Sequence, residues 1–148
     1  MVSIYPKDTI FDIKRILGKR FSEITSEERE RWPFTLEEGE NDTIMIVTES
    51  YGKHDPIEIT GLIIKDLLQL AKNLGKQTDN VVICIPSFFE EPQKKAMIAA
   101  AHFAEIKNVK LFQEPLSAAL WYIFWLSQVR GIEDDRSIII LDLGAETF

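Results

Sequence analysis

Three apolar strings decide the fold of this chain: VVICIP at residues 81–86, VKLFQEP at 109–115 and SIIILDLG at 137–144. Each predicts a strand, and helices are predicted between them, over Glu91–Ile106 and from Glu114 onward. Uniformly apolar strands that alternate with helices indicate an α/β protein whose sheet is buried on both faces. From residue 80 to residue 148 the sequence therefore predicts strand, helix, strand, helix, strand.

The ends of these strands carry candidate site residues. Pro86 closes the first strand, Glu114 follows the second, and Asp142 follows the third. In such sheets ligands bind at the carboxyl ends of the strands. A lone carboxylate at the end of a buried strand is costly unless it is paired or linked to a metal, so Asp142 is predicted to be functional.

Residues 1–79 are organised differently and predict a small α+β subdomain beside an α/β core at residues 80–148. A helix is expected over Thr9–Leu17, and a capping box begins a short helix at Thr25. Strands are expected at Thr43–Glu49 and Ile57–Thr60. A long amphipathic helix is expected to begin at Thr60 or Gly61. Its predicted core side consists of Leu62, Ile63, Leu67, Leu70, Ala71 and Leu74.

Composition narrows the class of protein. The 148 residues include 45% hydrophobic and 28% charged residues, as is usual for a globular domain, and no apolar run is long enough to span a membrane. The net charge of −7, with no stripe of basic residues, argues against nucleic-acid or anionic-membrane partners. The single Cys84, expected in a buried strand, excludes an internal disulfide, suits a reducing compartment and favours a cytoplasmic location.

Several strings together resemble the nucleotide-binding domain of the Hsp70 chaperones, which are actin-like ATPases. The order and spacing of the strings match those of the family across nearly the whole chain. The matching strings are FDIKRILGKRF at 11–21, WPF at 32–34, VICIPSFF at 82–89, PQKKA at 92–96, QEPLSAAL at 113–120 and LDLGAETF at 141–148.

The resemblance implies a partial first lobe of the actin-like ATPase (ribonuclease H-like) fold. The family's domain is more than twice this length, since a glycine-rich phosphate hairpin precedes the matching part and an adenosine-binding second lobe follows it. ATP or ADP with Mg²⁺ is the implied ligand, and ATP-dependent protein folding is the implied activity. The isolated chain is expected not to hydrolyse ATP.

The resemblance also assigns roles to three site residues. Lys14 matches the catalytic lysine near the γ-phosphate, although periodicity alone favours an exposed helix cation. Glu114 matches the carboxylate beside the attacking water and the hydration shell of Mg²⁺; it also suits the positive end of a helix dipole. Asp142 matches the aspartate that holds Mg²⁺ through water.

The second phosphate loop departs from the family pattern. Gly144, Ala145, Glu146 and Thr147 stand where the family has three glycines and a threonine. Glu146 brings negative charge toward a polyanion, and both Ala145 and Glu146 resist a positive φ. The parent protein is therefore expected to be weakly catalytic or a divergent, non-catalytic binding or co-chaperone module, an alternative that the residues leave open.

Four further residues match surfaces of the family. Pro86 and Lys94 match a relay between the lobes. The family has arginine where this chain has Lys94, so the positive charge is kept but the planar guanidinium group is lost. Lys110 and Gln113 match a surface for J-domain co-chaperones. The implied partners are unfolded client proteins, J-domain co-chaperones and nucleotide exchange factors.

The helix that begins at Glu114 is unusually apolar from Trp121 to Leu126. One small sheet cannot cover a helix that is apolar on every side. Tyr122, Ile123 and Leu126 are expected in the core, whereas Trp121 and Trp125 are candidates for self-association. A third alternative, a sugar kinase or an actin homologue, is disfavoured by the WPF and EPLSAA strings.

Overall fold

A computed structural model describes residues 4–131 and 137–142 of the protein. In chain order, the helices and strands are α1 (Ser26–Arg29), β1 (Thr35–Glu38), β2 (Ile44–Thr48), β3 (Gly52–His54), α2 (Pro56–Asn73), β4 (Asn80–Ile85), α3 (Glu91–Phe103), β5 (Asn108–Gln113) and α4 (Glu114–Arg130). Single 3-10 turns lie at Pro6–Asp8, Ile13–Arg15, Phe21–Glu23 and Glu40–Asp42.

The chain divides into two compact units. The first runs to Asn80 and also includes Glu90–Val109, and the second comprises Val81–Phe89 and the chain from Lys110 onward. One division therefore falls beside the predicted boundary at 79/80. Helix α3, however, groups with the first unit rather than with the strands on either side of it. The assignment of residues 1–79 and 80–148 to two subdomains stays a prediction.

The first unit contains an antiparallel sheet in the order β1-β2-β3. Ile46 lies opposite Leu36 on β1 and opposite His54 on β3. Alternate residues of β2 are buried, as expected for a strand with one face on a core. The strand predicted at Thr43–Glu49 is thus confirmed, while β1 was not predicted.

A single cluster of apolar side chains stabilises this sheet. Phe34 lies at its centre, with its ring 6.0 Å from that of Trp32 in a stacked arrangement and 5.9 Å from that of Phe11 edge-on. Such aromatic pairs add about 0.5–1.5 kcal/mol beyond the burial of their area. The buried members are Ile16, Ile24, Trp32, Phe34, Leu36, Ile44 and Ile46.

The helix predicted over Thr9–Leu17 is wrong. Only one 3-10 turn, Ile13–Arg15, forms there. Asp12 has a left-handed backbone with φ of 56°, and Gly18 follows with φ of +71°. The left-handed Asp12 lies inside the predicted range and interrupts a continuous α-helix, whereas Gly18 lies just beyond its predicted end. The apolar residues of this segment reach the core from an irregular backbone instead.

Two serine–aspartate pairs fix the irregular segments. The Ser50 hydroxyl and its backbone N–H both donate to Asp8, and Ser22 donates to Asp42 in the same way. These hydrogen bonds hold the pKa of each carboxyl below its ordinary value, and the bonds from the serine hydroxyls have the largest effect. Asp8 and Ser50 are 42 residues apart, so the pair joins the start of the described chain to the β2–β3 turn.

A predicted helix start and a predicted strand have different outcomes. The capping box at Thr25 is confirmed, because its hydroxyl accepts from the Glu28 N–H at 3.2 Å and the Glu28 carboxylate accepts from the Thr25 N–H at 3.0 Å. The strand predicted at Ile57–Thr60 is wrong, since these residues form the first turns of α2. Asp55 caps that helix by accepting from the Ile57 N–H at 2.6 Å, with Pro56 at the first position.

Helix α2 packs against α3 through its small residues. A Cβ added at Gly61 would lie 2.5 Å from Phe103 Cδ1 and 3.0 Å from the Ala100 carbonyl oxygen. Thr60 is also buried, whereas Ala71 is half-buried. The predicted core side of α2 is therefore wrong. The face that packs against α3 carries the small residues Thr60 and Gly61, which allow the two helices to approach closely. The predicted core residues that are exposed are Leu62, Ile63, Leu67, Leu70 and Leu74.

Strands β4 and β5 and helices α3 and α4 are confirmed, but the third strand is wrong. Residues 137–142 form no regular element, and β4 and β5 make a two-stranded sheet. Burial alternates along β4, so the expectation of a sheet buried on both faces is also wrong. Cys84, expected in the core, is exposed. On α4 Leu126 is buried as predicted, whereas Tyr122 and Ile123 are exposed.

Gly18→Ala should destabilise the first unit more than Gly75→Ala does. Both glycines have nearly the same φ, +71° and +72°, so both substitutions incur about 1–2 kcal/mol of left-handed strain. A Cβ at Gly18 would also lie 2.6 Å from Gln93 Cα, while one at Gly75 meets nothing within 4 Å. We expect about 1–3 kcal/mol of additional loss for Gly18→Ala in urea unfolding. Equal losses would contradict this close contact.

Candidate functional site

Lys14 lies on the 3-10 turn Ile13–Arg15, and the core holds that turn in place. Ile13 packs against the apolar cluster, and Ile16 and Leu17 have no exposed surface. Lys14 itself is half-buried. The neighbouring core residues therefore hold the backbone at Lys14 in place.

The residues after this turn contact the start of α3. A Cβ atom added at Gly18 would lie only 2.6 Å from Gln93 Cα. The backbones of Gly18 and Gln93 are therefore in contact. Gln93 is 6% exposed, and no hydrogen-bond partner for its Nε2 atom exists within the described part of the chain. The structure therefore places the segment that carries Lys14 beside the helix start that carries Lys94.

Lys94 forms an ion pair within its own helix. Its Nζ atom lies 2.8 Å from Glu91 Oε1, three residues earlier. The hydrogen bond from Lys94, together with its charge, lowers the pKa of Glu91. Glu91 was not among the predicted site residues, although its spacing from Lys94 in the first turn of a helix could have indicated the pair.

Pro86 and Glu114 follow the neighbouring strands β4 and β5. Pro86 is buried, and its carbonyl oxygen accepts from the Phe89 N–H at 3.2 Å. Glu114 is half-buried at the first position of α4, and its backbone carbonyl accepts from the Ser117 hydroxyl at 2.6 Å. A carboxylate at this position complements the helix dipole, as the sequence suggested.

Lys110 and Gln113 lie on β5, and both are exposed. Exposure is what a surface for a partner protein requires. Their role in binding J-domain co-chaperones stays a prediction.

Asp142 is exposed and lies in no regular element, so its expected place at the end of a buried strand is wrong. Because residues 137–142 form no strand, Asp142 does not lie at the buried edge of a sheet, and water can solvate its carboxylate. Gly144, Ala145, Glu146 and Thr147 lie outside the described residues. The predicted phosphate loop therefore stays a prediction.

The site residues are distributed between the two units. Lys14 and Lys94 belong to the first unit, whereas Pro86, Glu114 and Asp142 belong to the second. Within residues 4–131 and 137–142, no group of three or more His, Cys, Asp or Glu side chains is placed to hold a metal ion. Among the same residues, no helix is both long and apolar enough to cross a membrane.

The helices and strands of the chain define a mixed α/β protein. The family model described as Hsp70 protein matches residues 2–148. The chain therefore belongs to the Hsp70 family and corresponds to part of its nucleotide-binding domain. This membership confirms the predicted partial lobe.

Three relatives illustrate the match. The chain is 35% identical to the chaperone protein HscA homolog of Shewanella woodyi, over 97% of this chain and 22% of the relative. It is 33% identical to the chaperone protein DnaK of Thermus thermophilus, over the same shares. It is 30% identical to a ribosome-associated molecular chaperone of Eremothecium gossypii, over 99% of this chain and 24% of the relative. The chain thus spans less than a quarter of the length of these relatives.

Lys94→Gln should raise the pKa of Glu91 toward its ordinary value. The largest cause of the lowered pKa is the hydrogen bond from Lys94, while Lys95 contributes only a weaker charge effect. Carboxyl-detected NMR titration of Glu91 measures the change, and Lys95→Gln is the matched control because it removes the same charge one residue away. A larger rise in the control variant would show that Lys94 is not the main partner.

Proposed function

We propose that this chain supplies one part of the ATP site of an Hsp70-type chaperone. The observation that supports this most strongly is the half-buried Lys14, on a turn that is followed directly by two fully buried residues, Ile16 and Leu17, and by the contact of Gly18 with α3. It lies in a string that matches the family's catalytic lysine. A fixed cation of this kind can stabilise the negative charge that develops on a transferring phosphoryl group.

Glu114 and Asp142 would provide the acidic side of the site. Glu114 is half-buried and held at the first turn of α4, where its carboxylate can orient a water molecule. Asp142 is exposed, so its oxygens are available to accept hydrogen bonds from hydration water, which fits a water-mediated contact with a cation. When bound, Mg²⁺ would neutralise phosphate charge.

The remaining assignments follow from the same family resemblance. Gly144, Ala145, Glu146 and Thr147 would face the phosphates, with Glu146 weakening the binding through its charge. Pro86 and Lys94 would relay nucleotide state, and Lys110 and Gln113 would contact J-domain co-chaperones. Unfolded client proteins and nucleotide exchange factors would be further partners of the whole chaperone. A cytoplasmic location suits its exposed, unpaired Cys84.

The isolated chain should show no ATP turnover that depends on Lys14, because it spans less than a quarter of the length of the chaperones to which it is similar and is proposed to supply only part of their ATP site. A chimera tests the site itself: the chain replaces the matching segment of Thermus thermophilus DnaK, and ATP binding and Mg²⁺-dependent turnover are measured. In this chimera Lys14→Ala should lower kcat by about 10²-fold or more. Lys72→Ala, an exposed lysine on α2, is the control.

Two outcomes would overturn this proposal. Turnover by the isolated chain that vanishes in Lys14→Ala would show that the chain hydrolyses ATP by itself. A chimera that folds but neither binds nor hydrolyses ATP would contradict the proposed site and favour a non-catalytic binding module.

We also propose that α4 mediates self-association of the isolated chain. Trp121 is 66% exposed and stacks on Phe124, with 5.7 Å between ring centroids. Trp125 is half-buried and stacks on Tyr122 at 6.2 Å. Large apolar side chains that remain exposed beside one another favour association. The exposed ones on α4 are Leu116, Leu120, Trp121, Tyr122, Ile123, Phe124 and Val129.

The double variant Trp121→Gln/Trp125→Gln should therefore shift the chain toward the monomer of 17.0 kDa while retaining its helix content. Sedimentation equilibrium at micromolar concentration measures the shift, and circular dichroism checks the helices. Leu70→Gln/Leu74→Gln on α2 is the matched control, because it removes exposed apolar area from the other unit. A wild-type chain that is already monomeric would refute the proposal.

A further inference from the structure

The first unit contains a pocket that none of the preceding assignments uses. Its volume is about 470 Å³, within the range of small-molecule sites, which span roughly 300–1,000 Å³. It lies between the loop after the Lys14 turn, the 3-10 turn before β2, the start of α2 and the first turns of α3. Its apolar lining includes Ile16, Ile44, Ile57, Pro92, Ala96 and Ala99.

Three cations also line this pocket: Lys19, Arg20 and Lys95. They are separated by up to 76 residues in the chain, which is why the sequence showed no basic cluster. Lys19 is half-buried, and the other two are exposed. None of the three has an ion-pair partner within 4.0 Å in the part of the chain that the structure describes.

The carboxylates of the pocket are already engaged elsewhere. Asp42 accepts from both the backbone N–H and the hydroxyl of Ser22, and Asp55 accepts from the Ile57 N–H at 2.6 Å. The lining therefore combines three cations with two hydrogen-bonded carboxylates, of which Asp42 also interacts electrostatically with Arg20. It retains one net positive charge. This balance suits a ligand with a single negative charge.

The helix starts at the pocket do not offer a phosphate cradle. A phosphate site at a helix N-terminus needs free backbone N–H groups. At α2, Pro56 has no N–H and Asp55 takes that of Ile57; at α3, Glu90 and Gln93 form a capping box. The anion must therefore be held by side chains above an apolar floor.

We propose that this pocket binds a small aliphatic monocarboxylate, with its carboxylate toward Lys19, Arg20 and Lys95 and its hydrocarbon chain on the apolar lining. Carboxylates accept from lysine and arginine through charge-assisted hydrogen bonds, and burial of each CH₂ group adds affinity. The site is independent of the ATP site, since it uses neither Lys14 nor Glu114. Loss of one function therefore does not imply loss of the other.

Octanoate is the probe, and 1-octanol is the neutral probe with the same chain length. Titration of the ¹³C-methyl-labelled chain should shift the Ile16, Ile44 and Ala96 methyl signals saturably. Octanoate should bind about fivefold more tightly than 1-octanol, because each exposed ion pair is individually weak. Salt at roughly 0.5 M should remove most of this difference by screening.

Lys19→Gln/Lys95→Gln should weaken octanoate binding about fivefold and leave 1-octanol binding unchanged. The matched control is Lys72→Gln/Lys76→Gln, which removes the same charge from the last turn of α2 and from the residues just after it. Ala99→Leu fills the pocket from α3 and should weaken both probes. A ¹H–¹⁵N spectrum verifies that each variant is folded.

Equal affinity for the two probes would overturn the proposal. So would octanoate binding that is unchanged in Lys19→Gln/Lys95→Gln and in Ala99→Leu, or methyl shifts confined to the exposed apolar residues of α2 and α4.

Discussion

The close contact between Gly18 and the backbone of Gln93 is the constraint on which the first unit depends. It requires a residue without a side chain at φ of +71°, and it joins an irregular segment to the first turn of α3. The half-buried Lys14 lies four residues before this contact, and Lys94 lies one residue after it. Gly18 and Pro92, whose carbonyl oxygen is part of the contact, also line the apolar pocket. One steric requirement thus positions the segment that carries Lys14, the first turn of α3 and the pocket.

Helices α2 and α4 both expose large apolar side chains. Leu67 is 60% exposed and Trp121 is 66% exposed, although both lie in strongly apolar helices. Helices of this composition are usually covered by other elements. The relatives are more than four times as long as this chain. In the isolated chain, self-association is proposed for the α4 surface and not for the α2 surface.

Electrostatic contacts between distant parts of the chain take the place of regular structure at the start of the first unit. The Asp8–Ser50 and Ser22–Asp42 pairs each satisfy a backbone N–H and a hydroxyl with one carboxylate. A backbone without helix or sheet partners must find such bonds elsewhere.

The sequence alone determined the elements whose signals are local and the family to which the chain belongs. The capping box at Thr25, strand β4 and helix α3 follow from neighbouring residues, and the ordered strings predicted the Hsp70 match. Tertiary structure decided what depends on distant residues. The Gly61 contact with Phe103 determined which face of α2 is buried. The Asp55 cap and Pro56, which made Ile57–Thr60 helical, are by contrast a local signal from neighbouring residues. Residues 137–142 remained outside any sheet, because a strand forms only when a partner supplies its backbone hydrogen bonds.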